Sequence, residues 1–187
     1  AILDHHRSVD MLDLPGVYSL HPRSEDEQVT HDVLAGKMPD LPRPDAVLLI
    51  LDSTNLGRNL ALVAPILSLG LPTMVVLNMA DDLRKRGGSV NEKMLSVEIG
   101  ASVALISASH GEGIEKVRQF LEEKVIPPRR VELPVLQDVP QCRRWAAKVT
   151  ESAGYRAPAP PQVTRKIDSY LWFLPVSGGQ FLPAQRL

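Results

Sequence analysis

The chain predicts an α/β fold, a parallel sheet with helices on both faces, followed by a short helical appendage. Three observations predict it. Apolar runs at 46–51, 73–77 and 102–106 have the length and composition of strands covered on both faces. Helical patterns alternate with these runs, as a parallel sheet requires. Each run then ends in a polar segment rich in Asp, Asn or Ser. That puts the reactive side chains at the carboxyl edge of the sheet, where open α/β folds bind ligands.

In chain order, residues 8–12 alternate into a short strand that delivers Asp13. Ser24-Glu25-Asp26-Glu27 matches a capping box and opens a helix that runs to Gly36, a good terminating residue. Pro39, Pro42 and Pro44 make the next link rigid and non-helical. After the strand at 46–51, Asp52-Ser53-Thr54-Asn55 can cap a helix ending near Gly70, which Pro65 should kink or shorten. The strand at 73–77 leads straight into Asn78, and a polar stretch, 81–88, follows. A helix is expected from about Asn91 to Ile99, the last clear strand at 102–106, and a helix from Gly113 to Val125. In this last helix Ile114, Val117, Phe120 and Leu121 recur at helical spacing.

The character changes at Pro127-Pro128, so the expected division is a sheet-forming part at 1–126 and an abbreviated helical segment with a linker at 127–187. Val139, Cys142, Trp145, Ala146, Val149 and Ala153 mark one amphipathic helix, with Gly154 to end it. Residues 157–161 read as a stiff proline linker, and a second short helix can start at Thr164.

Composition narrows the function classes. A formal net charge of −1 supplies no basic field to recruit nucleic acid. Cys142 is the single cysteine, which excludes an internal disulfide and a cysteine-based zinc cluster. No apolar run approaches the roughly 20 residues needed to span a bilayer. His5 and His6 would point to opposite faces of a strand and so cannot easily chelate one ion. Cys142 and Trp145 read as packing residues on the apolar helix face.

Three motifs carry chemistry, and their order and spacing make them specific together where each alone would be weak. Asp13-Leu14-Pro15-Gly16 fits D-x-x-G, in which the aspartate holds Mg²⁺ through a water and the glycine amide meets the γ-phosphate. Asn78-Met79-Ala80-Asp81 fits N-x-x-D. Guanine presents N1–H and its exocyclic amine side by side, and the Asp81 carboxylate can accept both. Adenine lacks that pair and would leave the site's groups unmatched. Asn78 would tie the base loop to its neighbours and meet the Hoogsteen edge. Ser107-Ala108-Ser109 fits the loop that closes over the base, with the Ala108 amide toward O6. The fold expected is therefore P-loop-GTPase-like, with GTP or GDP and Mg²⁺ as ligands. A phosphate loop, G-x-x-x-x-G-K-[ST], should precede Asp13, yet residues 1–12 hold neither glycine nor lysine. The chain thus reads as a fragment beginning just before the third strand of such a domain. Val17 follows Gly16 and cannot orient a water as a glutamine would, so no catalytic residue is assigned.

Asp13-Leu14-Pro15-Gly16-Val17-Tyr18-Ser19-Leu20, the 24–27 capping box, Asp52-Ser53-Thr54-Asn55-Leu56-x-Arg58-Asn59-Leu60 and Leu77-Asn78-Met79-Ala80-Asp81 together resemble the cytoplasmic G domain of the bacterial ferrous-iron transporter FeoB. The resemblance covers about 8–125, and its sharpest marks are Met79 and the 52–60 run. It implies GTP binding and slow hydrolysis that control Fe²⁺ uptake in the intact protein. It also implies a membrane domain of the same transporter as partner and a place on the cytoplasmic face of the inner membrane. Two other functions compete: a non-enzymatic interaction module on a degenerate G fold, and a soluble translation- or RNA-associated GTPase. The absence of a basic appendage speaks against the second.

Overall fold

The structure, a computed structural model, describes residues 9–15, 25–122 and 129–160. Its sheet has three parallel strands in the order β1 (Val47–Asp52), β2 (Thr73–Asn78) and β3 (Ser102–Leu105). The register pairs Val47 with Thr73 and Asp52 with Asn78 across β1 and β2, and Met74 with Ser102 and Leu77 with Leu105 across β2 and β3. Strand β2 is the central one, and Thr73 to Leu77 are all buried. Alternate residues therefore supply two cores, as the period of a strand dictates.

On one face Leu51, Val75 and Leu77 join Leu56, Leu60, Val63 and Leu67 from the helical segment after β1, and Leu95 and Ile99 from α5 (Glu92–Ile99). Opposite them, Met74, Val76, Ala104 and Ile106 pack against Ile114, Val117 and Phe120 of α6 (Ile114–Glu122). A third small core gathers Leu34 from α1 (Glu25–Leu34) with Ile66 and Leu71, and Leu14 packs beside it. Helices thus cover both faces, as the apolar runs require.

The helical segment after β1 is broken. Asp52 caps it through its carboxylate, which accepts from the Thr54 amide at 2.8 Å and the Thr54 hydroxyl at 2.7 Å. A 3₁₀ turn (Ser53–Asn55), α2 (Leu56–Asn59), a second 3₁₀ stretch (Leu60–Leu62) and α3 (Val63–Ser68) follow in line. The second 3₁₀ stretch lies just ahead of Pro65, whose ring cannot donate to Ala61 and crowds its carbonyl. The anticipated kink is this change of winding.

Two expectations need correction. Residues 9–12 form no strand: the segment is irregular, with Met11 67% and Leu12 53% exposed, and among the described residues β1 is the sheet edge. Alternating sequence makes a ladder only where a neighbouring strand takes up its backbone groups. The polar stretch at 81–88 contains a helix, α4 (Ala80–Lys85), whose apolar residues Ala80 and Leu83 are fully buried. Two buried positions three residues apart anchor one helical turn, too short a period to stand out among five charged neighbours. The 24–27 capping box and the candidate helix at Thr164 fall wholly or partly outside the described residues, as do His5 and His6.

Helix α7 (Val139–Ser152) lies beyond the proline pair yet packs into the first core through Ala146, Val149 and Ala153. Asp138 caps it, accepting from the Gln141 amide at 2.8 Å. Past its end, Tyr155 accepts a hydrogen bond from the Leu56 amide at 3.3 Å, and Ser89 and Arg156 exchange backbone bonds at 3.0 and 2.8 Å. Gly88 lets this strap approach, because a Cβ there would stand 2.9 Å from the Arg156 carbonyl. Among the described residues, no helix is long and apolar enough to cross a membrane.

Leu60 is fully buried between the broken helix and α7. Leu60→Ala should cost about 2–5 kcal/mol in urea unfolding, the range for a cavity in a packed core. Cys142 is also fully buried, and burial, with Asp138 adding to it, pushes its thiol up from the ordinary value. Folding therefore favours the protonated thiol, a contribution present below the ordinary thiol pKa and lost as pH rises through the folded value. A disulfide reagent near about pH 8 should label Cys142 only as fast as the chain unfolds; rapid labelling of the folded chain would contradict this packing.

Candidate functional site

The site is built where β2 and β3 end. The Ile106 amide donates to the Leu77 carbonyl at 2.8 Å, and the Ala80 amide donates to the Ile106 carbonyl at 2.9 Å. This lacing holds Asn78 and the start of α4 beside the loop that follows β3. Between them Met79 adopts φ +66°, the only non-glycine positive φ among the described residues. Such a conformation costs on the order of 1–3 kcal/mol and persists only where the surroundings impose it. Here the imposed feature is the turn that faces Asn78 and Asp81 to one side.

Asn78 ties the two loops together. Its Oδ1 accepts from the Met79 amide at 2.8 Å and from the Ala108 amide at 3.1 Å. Both bonds use the oxygen, leaving Nδ2 as an available donor. Across from it, Ser107 is fully buried and its hydroxyl donates to Asp81 Oδ1 at 2.7 Å. That hydroxyl, ahead of nearby backbone amides and His110, holds the Asp81 carboxyl below the usual carboxylate range. Asp81 is thus an ionised acceptor at neutral pH with its Oδ2 toward solvent and His110.

The loop itself is closed on its own stem. Ser107 and Glu112 exchange backbone bonds at 3.0 and 3.1 Å, and the Glu112 carboxylate pairs with Arg84 of α4. Gly113, at φ +76°, is needed there: a Cβ would come within 2.7 Å of the Leu105 carbonyl. Glu92 adds a brace from α5, accepting from the Leu105 amide at 3.0 Å while paired with Lys116 at 2.6 Å.

Of the residues singled out from the sequence, Asn78, Met79, Asp81, Ser107, Ala108 and Ser109 meet in this one place. Asp13 is exposed on the irregular 9–15 segment, which is anchored by the Thr30 hydroxyl donating to the Pro15 carbonyl at 3.0 Å. Gly16 lies outside the described residues. Among the described residues, no group of three or more acidic, histidine or cysteine side chains could hold a metal ion. Sequence reasoning missed His110, Arg84 and Glu112. Of these only His110 left a signal, its position directly after Ser109.

Asn78→Ala would remove the acceptor that joins the two loops. The Ala108 amide should lose its protection in hydrogen exchange, with a stability loss of about 1 kcal/mol. Unchanged exchange at Ala108 would show that the loops are held together by other contacts.

Residues 1–121 match the family described as Ferrous iron transport protein B. The Fe(2+) transporter FeoB of Campylobacter jejuni is 36% identical over 136 residues, covering 71% of this chain and 21% of that protein. The cytosolic domain of L. pneumophila FeoB is 36% identical with a TM-score of 0.53, over 66% of this chain and 48% of that one. The mGMPPNP-bound NFeoB of S. thermophilus is 37% identical with a TM-score of 0.52, over 57% of this chain and 39% of that one. The chain spans about a fifth of the length of the curated relative from C. jejuni. Its 121 matched residues, carrying the sheet and the joined loops just described, make this chain a member of the ferrous iron transport protein B family.

Proposed function

We propose that this chain carries the guanine-reading part of a GTP-binding regulatory module, which in the whole transporter controls Fe²⁺ uptake from the cytoplasmic face of the membrane. The observation that supports this most directly is the joining of Asn78 and Asp81 to Ser107 and Ala108 by two hydrogen bonds, at 3.1 and 2.7 Å. Asn78, Asp81 and the Ala108 amide, which would meet different edges of one guanine, share one wall, with Ser107 bonded to Asp81. The relative from S. thermophilus, named as bound to mGMPPNP, belongs to the same family and supports the ligand class.

The residues present fit the base. Asp81 offers an ionised carboxylate to N1–H and the exocyclic amine, with Ser107 holding its orientation. Asn78 Nδ2 can donate to N7 while its oxygen keeps the loops joined. The Ala108 amide already donates to Asn78, so O6 would share that donor. Met79 and Ser109 line the approach. For the phosphate side, Asp13 would hold Mg²⁺ through a water, and the Gly16 amide would meet the γ-phosphate. An exposed single carboxylate suits an ion that keeps most of its own water and takes further ligands from phosphates. Contacts that a bound triphosphate would make at Asp13 and Gly16 would differ before and after hydrolysis, which is the change such a module passes on. The membrane domain of the same transporter would be the partner that senses this change.

Asp81→Asn should weaken GTP binding by about 2–4 kcal/mol, because one of the paired acceptors becomes a donor facing a donor. Xanthine nucleotides, which carry an oxygen there, should gain. Titration calorimetry returning equal GTP affinity for variant and parent would refute this assignment.

A further inference from the structure

His110 is absorbed by none of the roles above, yet it stands against the base-reading carboxylate. Its Nδ1 lies 2.9 Å from Ser107 Oγ, 3.0 Å from Ser109 Oγ and 3.7 Å from Asp81 Oδ2. Ser107 has a single hydroxyl proton, and the 2.7 Å contact with the ionised Asp81 uses it. Toward His110 the same oxygen can only accept. A proton on Nδ1 satisfies that acceptor and gives a relay in which His110 donates to Ser107, which donates to Asp81.

We propose that His110 is a positioning residue for Asp81, holding the carboxylate for guanine when neutral and drawing it away when protonated. This rests on the reading of Asp81 as the base acceptor. His110 faces Asp81 from α4 and Glu112 from its own loop, and Arg84 of α4 interacts with both carboxylates. Arg84 and Glu112 neutralise each other, and Arg84 holds the Glu112 carboxyl below its ordinary range. Arg84 reaches Asp81 only at longer range, so His110 is the group that Asp81 would pair with. An imidazolium would close the 3.7 Å gap to Oδ2, the oxygen Ser107 does not hold, and would compete there with the guanine donors. Guanine affinity should therefore fall on protonation of His110.

Guanosine is the suitable probe, because it has no phosphate that titrates in the same range. The Ala108 amide signal would follow its binding by NMR at about pH 8 and about pH 5.5. The parent chain should bind guanosine about three- to fivefold more weakly at the lower pH, the size expected of a part-exposed ion pair. His110→Asn keeps a donor near the Nδ1 position without a titrating ring, so it should retain affinity at the higher pH and lose the pH step. His110→Ala should lose both. In the chain without ligand, imidazole ¹⁵N shifts should report the Nδ1-protonated tautomer. A parent that prefers guanosine over adenosine but shows no pH step, a step that survives in His110→Asn, or an Nε2-protonated ring would each overturn the proposal. A parent that fails to discriminate guanosine from adenosine would instead overturn the base-site reading on which it rests.

Discussion

Strand β2 is the constraint from which the rest of the structure hangs. Its residues Thr73 to Leu77 are buried, so both faces must be covered and both edges must find parallel partners. Val75 and Leu77 draw in the broken helix and α5, while Met74 and Val76 draw in α6. The strand then ends where its apolar run ends, and Asn78 is delivered half-buried at the rim. A residue at the end of a fully packed strand is placed by the whole core, which is why a site there needs little of its own to stay in shape.

What the site adds is polar and economical. One amide side chain, Asn78, holds two loop amides, and one buried hydroxyl, Ser107, holds a carboxylate. Among the described residues, the left-handed turn at Met79 is the one place where the backbone departs from ordinary conformations for a non-glycine residue, and it lies between Asn78 and Asp81. Local strain at such a position is stabilised by the surrounding packing rather than by the loop itself. Ion pairs at the loop margin, Arg84 with Glu112 and Lys116 with Glu92, sit on exposed or half-exposed side chains and orient more than they stabilise.

The segment beyond the proline pair is bound to this framework at both ends. Its Arg129 amide donates to the Gly100 carbonyl at 2.7 Å, α7 fills the first core, and the Ala159 amide donates to the Arg86 carbonyl at 2.9 Å. Tyr155 meets the first amide of α2, where the backbone donors would otherwise lack partners. The first core, which supports β2 from one side, is therefore shared by residues from both sides of the composition change. At the opposite margin, Ile50 on edge strand β1 is 65% exposed, so the sheet leaves apolar surface open on that side among the described residues.

By itself the sequence determined the strands at the ends of which the motifs stand, because continuous apolar runs of five or six residues have few other uses in an alternating chain. It also marked N-x-x-D and S-A-S as neighbours, since both follow strands that end at the same edge of the sheet. Cys142, Val149 and Ala153 were legible as one helix face from their spacing alone. Tertiary structure decided the rest, for physical reasons local sequence cannot express. Residues 9–12 alternate like a strand, but a strand exists only with a neighbour to bond. Helix α4 is held by two buried side chains, Ala80 and Leu83, whose burial depends on what lies beneath them. The places of His110, Arg84 and Glu112 around Asp81 depend on how the loop after β3 folds back through the Ser107–Glu112 bridge, a contact set by distance in space and not by spacing along the chain.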